Sequence, residues 1–169
     1  MCSLAHENCA SYPADFYPAD SGLPVFPHDA SLPGRRCNGG KAFYTPSVDI
    51  VAMPDRAQFD TEAGYYATLF HELTHATGHA SRLNRPTLTE SAGFGSDPYC
   101  KEELIAEMGA AFLCGQAGIE NTIQNSAAYL QNWLEQLQND KALIVQAAAQ
   151  AQKAADFILG TKFEDAVAG

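Results

Sequence analysis

The chain has 169 residues, of which 46% are hydrophobic and 18% charged, and its formal net charge at pH 7 is −10. This length suits one domain with its own core and is too short for two domains of ordinary size. Only ten lysines and arginines are present, so the composition disfavours binding to nucleic acid through a broad basic surface. The sequence contains no apolar run of transmembrane length, and we expect no membrane partner.

The cysteines argue against a disulfide framework. There are five, an odd number, without a Cys-x-x-Cys pair: Cys2, Cys9, Cys37, Cys100 and Cys114. This usage is typical of a reducing compartment. The first ten residues have neither the basic nor the apolar stretch of a secretory signal. The sequence therefore predicts a cytoplasmic protein.

Residues 1–40 are predicted to form an irregular arm or linker, and residues 41–169 the domain. The stretch from 11 to 40 is crowded with proline, glycine, aspartate and serine, which favour loops and extended chain. The next stretch, KAFYTPSVDIVAMP at 41–54, has the β-branched and aromatic content of one or two short strands broken at Pro46.

Helical patterns occupy the rest of the chain. The first helix is predicted from Asp60, a candidate N-cap, to Thr77, just before Gly78. After a loop at 81–100, three more helices are predicted: 99–117, 122–138 and 141–159. Short strands followed by a helical majority predict an α+β fold with a small sheet.

The motif HELTH lies near the end of the first predicted helix. His71 and His75 are four residues apart, so both imidazoles lie on one face of the helix and can direct nitrogens at one ion. Glu72 lies beside them, where it can take a proton from a zinc-activated water and later return it to a leaving amine. A chance occurrence of the pattern is the alternative. The interior of an otherwise apolar, capped helix is an awkward place for these three polar residues without partners.

A catalytic zinc site usually has a third protein ligand. The extended motif HExxHxxGxxH would need a histidine at position 81, where this chain has Ser81. His79 comes two residues too early, and a capping or supporting role suits it better than metal binding.

The better candidates lie in KEELIAEMGAAFL at 101–113. Glu103 and Glu107 are four residues apart on a predicted helix and share a face. We expect Glu103 to bind the metal and Glu107 to accept the N–H of a ligand histidine. Glu102 points to a different face and is predicted to be solvated.

Three blocks of this sequence resemble a known family: DIVAMP, FDTEAGYYATLFHELTHATGHASRLNR and EELIAEMGAAFL. They resemble the zincin-like metallopeptidase domain of ArdC-type antirestriction proteins, which also occurs in TraC-type primases and polyvalent mobile-element proteins. The ImmA/IrrE metallopeptidases are similar at a greater distance. The gluzincin pattern, in which an acidic residue follows the glutamate ligand after four residues, also points to Glu103 and Glu107.

The resemblance implies a zincin fold with a small twisted sheet, the HExxH helix beneath it and a helical C-terminal half. It implies Zn²⁺ as cofactor and a peptide or protein as substrate. In zincins an edge strand pairs with an extended peptide, and Asp49–Pro54 is the candidate here; a plain edge strand is the alternative. The family's upstream single-stranded-DNA-binding domain has no room in residues 1–40, so we expect such a domain only in a longer parent protein. Direct nucleic-acid binding by this chain is not expected, because the chain lacks a broad basic surface.

Several other residues have two interpretations each. Tyr99 stands just before the glutamate helix and is a candidate oxyanion donor, with packing as the alternative. Tyr65 is expected in the core, whereas Tyr66 could face the cleft. Arg82 and Arg85 follow the HExxH helix, whose C-terminus favours cations; binding a substrate carboxylate is the alternative.

The leading functional hypothesis is a zinc-dependent metallopeptidase with an antirestriction or mobile-element role. The alternative is a zincin scaffold that binds protein or DNA without hydrolysis. Glu72 favours the enzyme, because a purely structural metal site needs no general base.

Overall fold

A three-stranded sheet opens the part of the chain that the computed structural model describes, residues 33–37, 39–90, 97–119 and 141–161. Its strands are β1 (Gly34–Cys37), β2 (Phe43–Thr45) and β3 (Ile50–Met53). β3 pairs in parallel with β1 and antiparallel with β2. The prediction of one or two short strands within 41–54 is confirmed, and there are two. The sequence does not predict β1, and the sheet therefore begins before residue 41, the predicted start of the domain.

β3 is the central strand, in the order β1-β3-β2. The prediction that Asp49–Pro54 forms the edge strand for a peptide substrate is therefore wrong, since both sides of β3 are already hydrogen-bonded. A short strand with prolines at its ends suits an edge position. Here the parallel partner comes from the proline- and glycine-rich segment, where the composition hides it.

The first long helix, α1 (Glu62–Thr77), carries the HELTH motif. Its N-cap is Thr61, whose side-chain oxygen accepts a hydrogen bond from the backbone N–H of Gly64 at 3.0 Å. The predicted cap, Asp60, is one residue too early. Threonine and aspartate are both good caps, so the sequence alone does not separate two adjacent candidates.

The helix ends at Gly78 as predicted, but the reason is space rather than a left-handed backbone. Gly78 has a φ of −74°, which other residues adopt readily. A Cβ at this position would lie 2.8 Å from Nη2 of Arg85 and 3.0 Å from Cδ2 of Leu88. Glycine is needed here because the Arg85 side chain crosses directly over the end of the helix.

The remaining described helices are α2 (Pro86–Thr89), α3 (Asp97–Gln116) and α4 (Lys141–Leu159). α3 and α4 confirm two predicted helices, and Gly118 follows α3 with a φ of +69°, as a helix-ending glycine should. The short α2 lies in the predicted loop. The predicted helix at 122–138 lies outside the described residues. None of the described helices is both long enough and apolar enough to cross a membrane.

The core lies where the sheet and three helices meet. Val51 and Met53 of β3 pack with buried side chains of α1, α3 and α4, among them Tyr66, Leu69, Phe70, Leu113 and Ile158. A smaller cluster joins α3 to α4. α3 thus packs against both α1 and α4, and the α+β fold predicted from the sequence is confirmed.

Candidate metal site

Two histidine side chains from one face of α1 meet at the surface of α3. The Nε2 atoms of His71 and His75 are 3.1 Å apart. One turn of helix separates the two residues, which is why the four-residue spacing brings the rings together. Because α1 lies against α3, both rings point at the neighbouring helix.

Glu103 of α3 completes a group of three potential ligands. Its carboxylate oxygens lie 3.6 Å from Nε2 of His71 and 3.5 Å from Nε2 of His75. One atom from each of the three residues lies within 4.8 Å of the others. The structure therefore brings together the three residues that the sequence predicts as metal ligands.

Each histidine is also oriented by a second glutamate of α3. Nδ1 of His71 lies 3.3 Å from Glu107, and Nδ1 of His75 lies 3.2 Å from Glu102. The partner predicted for one ligand histidine, Glu107, is found in that position. Carboxylates of this kind select the ring tautomer that leaves the other nitrogen available for a metal.

The prediction that Glu102 is solvated is wrong, because only 3% of Glu102 is exposed. α3 has buried residues around most of its circumference, including Leu104, Ile105 and Ala106, and α1, α2 and α4 all pack on it. Burial raises the pKa of Glu102, but hydrogen bonds from His75 and Arg85 outweigh that effect and lower it to about 2. The carboxylate is therefore ionised.

The geometry fits a metal ion. When both Nδ1 atoms donate to carboxylates, both Nε2 atoms present lone pairs to one another across 3.1 Å, and a metal cation bound by both would relieve that repulsion. Tetrahedral zinc with Zn–N bonds near 2.0 Å sets ligand atoms about 3.3 Å apart. The two Nε2 atoms are 3.1 Å apart, and each lies 3.5 or 3.6 Å from a different oxygen of Glu103. These separations are close to that value.

The surrounding charge also favours a cation. Burial alone would lower the pKa of His71, but Glu103 and Glu107 raise it to about 10. For Glu103, burial acts to raise the pKa, but the two histidines outweigh burial and lower the pKa overall. The site therefore holds positive charge strongly, as a proton on the metal-free chain or as a metal ion in its place.

Glu72, the predicted general base, is 8% exposed and lies between the histidines and the sheet. Burial raises its pKa, while the charges of His75 and His71 and a hydrogen bond from the backbone of Tyr44 partly oppose that rise. A raised pKa makes a carboxylate a better proton acceptor near neutral pH. Because Tyr44 belongs to the edge strand β2, the sheet orients this side chain directly.

A cleft of about 130 Å³ opens beside two of the three ligand candidates, His75 and Glu103. Its lining comes from the edge of the sheet and from α1, α2 and α3: Tyr44, Pro46, His75, Thr87, Leu88, Tyr99, Glu102 and Glu103. Burial and the adjacent Glu103 raise the pKa of Tyr99 to about 12. The Tyr99 hydroxyl thus remains protonated, and it donates a hydrogen bond to Glu103 at the edge of this cleft.

Two other candidates lie away from the ligands. His79, predicted to cap the helix end or to support the site, shares a hydrogen bond of 2.8 Å with the Ser81 hydroxyl through Nδ1. This contact lies in the turn after α1 and fits the capping alternative. Tyr66, which could have faced the cleft, is fully buried in the core beside Phe70, whereas Tyr65 is in the core as predicted.

The two arginines after α1 bind the end of the helix, as predicted. Arg82 donates to the carbonyl of Ala76 at 2.7 Å and Arg85 to that of Thr74 at 2.7 Å. Arg82 also pairs with Asp49, which accepts a hydrogen bond from the Tyr44 hydroxyl at 2.7 Å. Its guanidinium is therefore held inside the protein, and the alternative of a substrate-carboxylate site loses support.

A fold with the HExxH helix under a small sheet, and a glutamate on the next long helix, defines a zincin-like protein. A family model described as zincin-like metallopeptidase matches residues 30–150, and this chain belongs to that family. The match begins within the predicted arm and covers β1.

The relatives are larger proteins. Two DNA primases TraC of Escherichia coli are 45% and 43% identical over 119 and 121 residues, which is 70% and 72% of this chain but 11% and 8% of theirs. The uncharacterized protein y4eC of Sinorhizobium fredii is 39% identical over 124 residues, 73% of this chain and 39% of its own.

Solved structures of the antirestriction protein ArdC from plasmid R388 are also similar. The Mn(II)-bound structure has a TM-score of 0.63 and 45% identity, over 79% of this chain and 50% of that one. The metal-free structure has a TM-score of 0.59 and 42% identity, over 86% and 54%. The chain thus spans about half of ArdC and a small part of the primases, and a metal cofactor agrees with the family.

Sequence reasoning missed Glu102 and Arg85 as parts of the site. One signal was present: the apolar residues of 101–113 do not keep to a single stripe, so the helix has little room for a solvated glutamate. Arg85 offered no comparable signal, because its position depends on the turn that follows α1.

Proposed function

We propose that this chain is a metallopeptidase domain that binds one Zn²⁺ through His71, His75 and Glu103. The observation that carries the proposal is the convergence of the two Nε2 atoms and the Glu103 carboxylate, with the buried Glu72 beside them. Two imidazoles and a carboxylate, with one position left for water, are the usual donors of a catalytic zinc. A zinc ion held there supplies a water of lowered pKa and polarises a carbonyl oxygen.

The chain's own residues have distinct tasks. Glu72 accepts the proton of the attacking water and delivers it to the leaving amine, for which its raised pKa is suited. The hydrogen bond from the backbone of Tyr44 keeps that carboxylate turned towards the site. Tyr99 lines the same cleft. We assign its hydroxyl the role of donating a hydrogen bond to the carbonyl oxygen that becomes negative when a peptide bond is attacked.

The first experiment is elemental analysis of the purified protein. We expect about one zinc per chain, much less in Glu103→Ala, and the wild-type amount in Glu62→Ala, an exposed glutamate of α1 that serves as control. Zinc is expected over manganese because nitrogen ligands bind it more strongly. Equal metal content in Glu103→Ala and wild type would reject the third ligand.

Hydrolysis is tested with Glu72→Gln. This variant should keep its zinc and lose cleavage of a denatured, fluorescently labelled casein, because a side-chain amide cannot accept the proton. His75→Ala should lose both the zinc and the activity. Equal cleavage by Glu72→Gln and wild type would contradict the role of Glu72.

A role in antirestriction is the second candidate, favoured by the 45% identity to ArdC. It is tested by transferring an unmodified plasmid into a restricting host that expresses the chain. Protection by wild type but not by Glu72→Gln would tie the effect to hydrolysis. Equal protection by both would favour the alternative of a scaffold that acts by binding protein or DNA.

A further inference from the structure

Arg85 lies behind the metal site, buried at the junction of α1, α2 and α3, and only 3% of it is exposed. Its Nε and Nη2 donate to the two oxygens of Glu102, at 3.1 and 2.5 Å. Both residues are buried, so each charge needs the opposite charge of the other residue to offset its loss of contact with water. The pair lies outside the set of ligands and the general base.

The rest of the Arg85 guanidinium is fixed by α1. Nη1 donates to Oγ1 of Thr77 at 2.6 Å, and Nη2 donates to the carbonyl of Thr74 at 2.7 Å. These bonds hold the planar group in one orientation, and the missing side chain of Gly78 gives it space. Arg85 is therefore anchored to the same turn of α1 that carries His75.

Glu102 accepts four hydrogen bonds. Besides the two from Arg85, Oε2 accepts from Oγ1 of Thr87 at 2.6 Å, and Oε1 lies 3.2 Å from Nδ1 of His75. Arginine has donors only, so the Glu102 carboxylate paired with it can only accept a hydrogen bond from His75. The proton of His75 is therefore on Nδ1, and the lone pair of Nε2 faces the other ligand candidates.

We propose that Arg85 is a positioning residue for the metal site. By holding Glu102 from two directions, it sets the tautomer and the orientation of the His75 ring. The inference rests on the proposed metal site and adds a residue from outside the HExxH and glutamate helices. It predicts that metal affinity depends on Arg85, although Arg85 touches no metal.

Arg82 provides a matched control. It lies in the same turn, its side chain is 4% exposed against 3% for Arg85, and it also joins a carboxylate to a carbonyl near the end of α1. Its carboxylate is Asp49 rather than Glu102. Arg82 therefore reports what the loss of a buried guanidinium does to the fold.

The test compares Arg85→Lys with Arg82→Lys by titrating zinc against a chromophoric chelator. Lysine keeps the charge but has no planar fork. Arg85→Lys should weaken zinc binding about 10- to 100-fold, as loss of outer-shell support does, and should shift the visible absorption bands of the cobalt(II)-substituted protein. Arg82→Lys should lower the melting temperature without either effect. Equal zinc affinities and equal spectra would overturn the inference.

A milder pair of variants covers the case in which Arg85→Lys does not fold. Thr87→Val removes one hydrogen bond to Glu102, and Thr89→Val removes a hydroxyl that donates to the Arg85 carbonyl at 3.1 Å. Zinc affinity should fall in the first variant only. If both bind zinc as wild type does, the inference fails. Failure of the wild type to bind zinc would instead contradict the metal site itself.

Discussion

The two histidines of the site have unlike surroundings. The His75 side chain is 11% exposed, and its partner Glu102 is 4% exposed and bound by Arg85 and Thr87. The His71 side chain is 18% exposed, and its partner Glu107 is 16% exposed. One histidine is thus held by a buried network, and the other by a single carboxylate near solvent.

This difference shows that two similar ligands can be supported by pairs whose loss changes the free energy of unfolding to different extents. A buried network fixes geometry well, yet it is destabilising when broken, because a charge is left in the interior. A partly exposed pair can exchange its partner for water at little cost. The His75 side therefore couples the metal site to the stability of the fold, whereas the His71 side can be changed more freely.

The comparison can be broken most strongly by removing the two supporting carboxylates in turn. In the metal-free protein, Glu102→Ala should lower the free energy of unfolding by about 3–5 kcal/mol, because Arg85 loses its buried partner. Glu107→Ala should lower it by less, because no buried guanidinium loses its partner. Urea denaturation with a chelator present measures both values. Equal losses would mean that the two sides do not differ in this way.

A second prediction moves both histidine supports together by widening the gap between α1 and α3. A Cβ at Gly109 would lie 2.6 Å from the side chain of Thr74, so Gly109→Ala should cost about 1–3 kcal/mol and weaken zinc binding. Gly115→Ala, in the same helix with no atom within 4 Å of the added Cβ, should instead stabilise by about 0.5–1 kcal/mol.

Urea denaturation and zinc titration of both glycine variants test this prediction. Loss of stability in Gly115→Ala equal to that in Gly109→Ala would point to helix propensity rather than helix spacing.

The smallest effect is expected at the pair of Arg82 and Asp49, in which the Asp49 side chain is 33% exposed. The hydrogen bond from Arg82 leads the effects that lower the pKa of Asp49 from 3.8 to about 2. The folded-state pKa is below the unfolded value, so this stabilisation is complete above about pH 5 and is lost as pH falls towards 2. Asparagine also tolerates the φ of +52° at this position.

The difference in unfolding free energy between wild type and Asp49→Asn should therefore shrink between pH 5 and pH 3. Denaturant unfolding at several pH values measures it, with the exposed Asp60→Asn as a control for the loss of one surface charge. A difference that is constant with pH would show that the pair does not stabilise through the ionised carboxylate.

The sequence predicts the parts of this site that depend on local periodicity. Four-residue spacing places His71 with His75, and Glu103 with Glu107, on one face of each helix. A helix turns about 100° per residue, so the relative directions of these side chains follow from the sequence. The long described helices, unlike the short α2, could be found from their apolar positions and ending glycines.

The remainder depends on contacts between distant segments. β3 is central only because Gly34–Cys37 pairs with it, and the sequence of residues 49–54 does not indicate that this strand has a second partner. Glu102 is buried because α1, α2 and α4 enclose α3, which the sequence of α3 alone does not show. Arg85 reaches Glu102 only through the turn that follows Gly78.

The placement of all three glutamates on α3 has a consequence for how the gene can change length. Glu102 pairs with Arg85 and His75, Glu103 belongs to the ligand group with the two histidines, and Glu107 pairs with His71. An insertion of one codon between positions 103 and 107 would rotate Glu107 by about 100° away from His71. Homologous genes should therefore tolerate substitutions in this interval more readily than insertions or deletions.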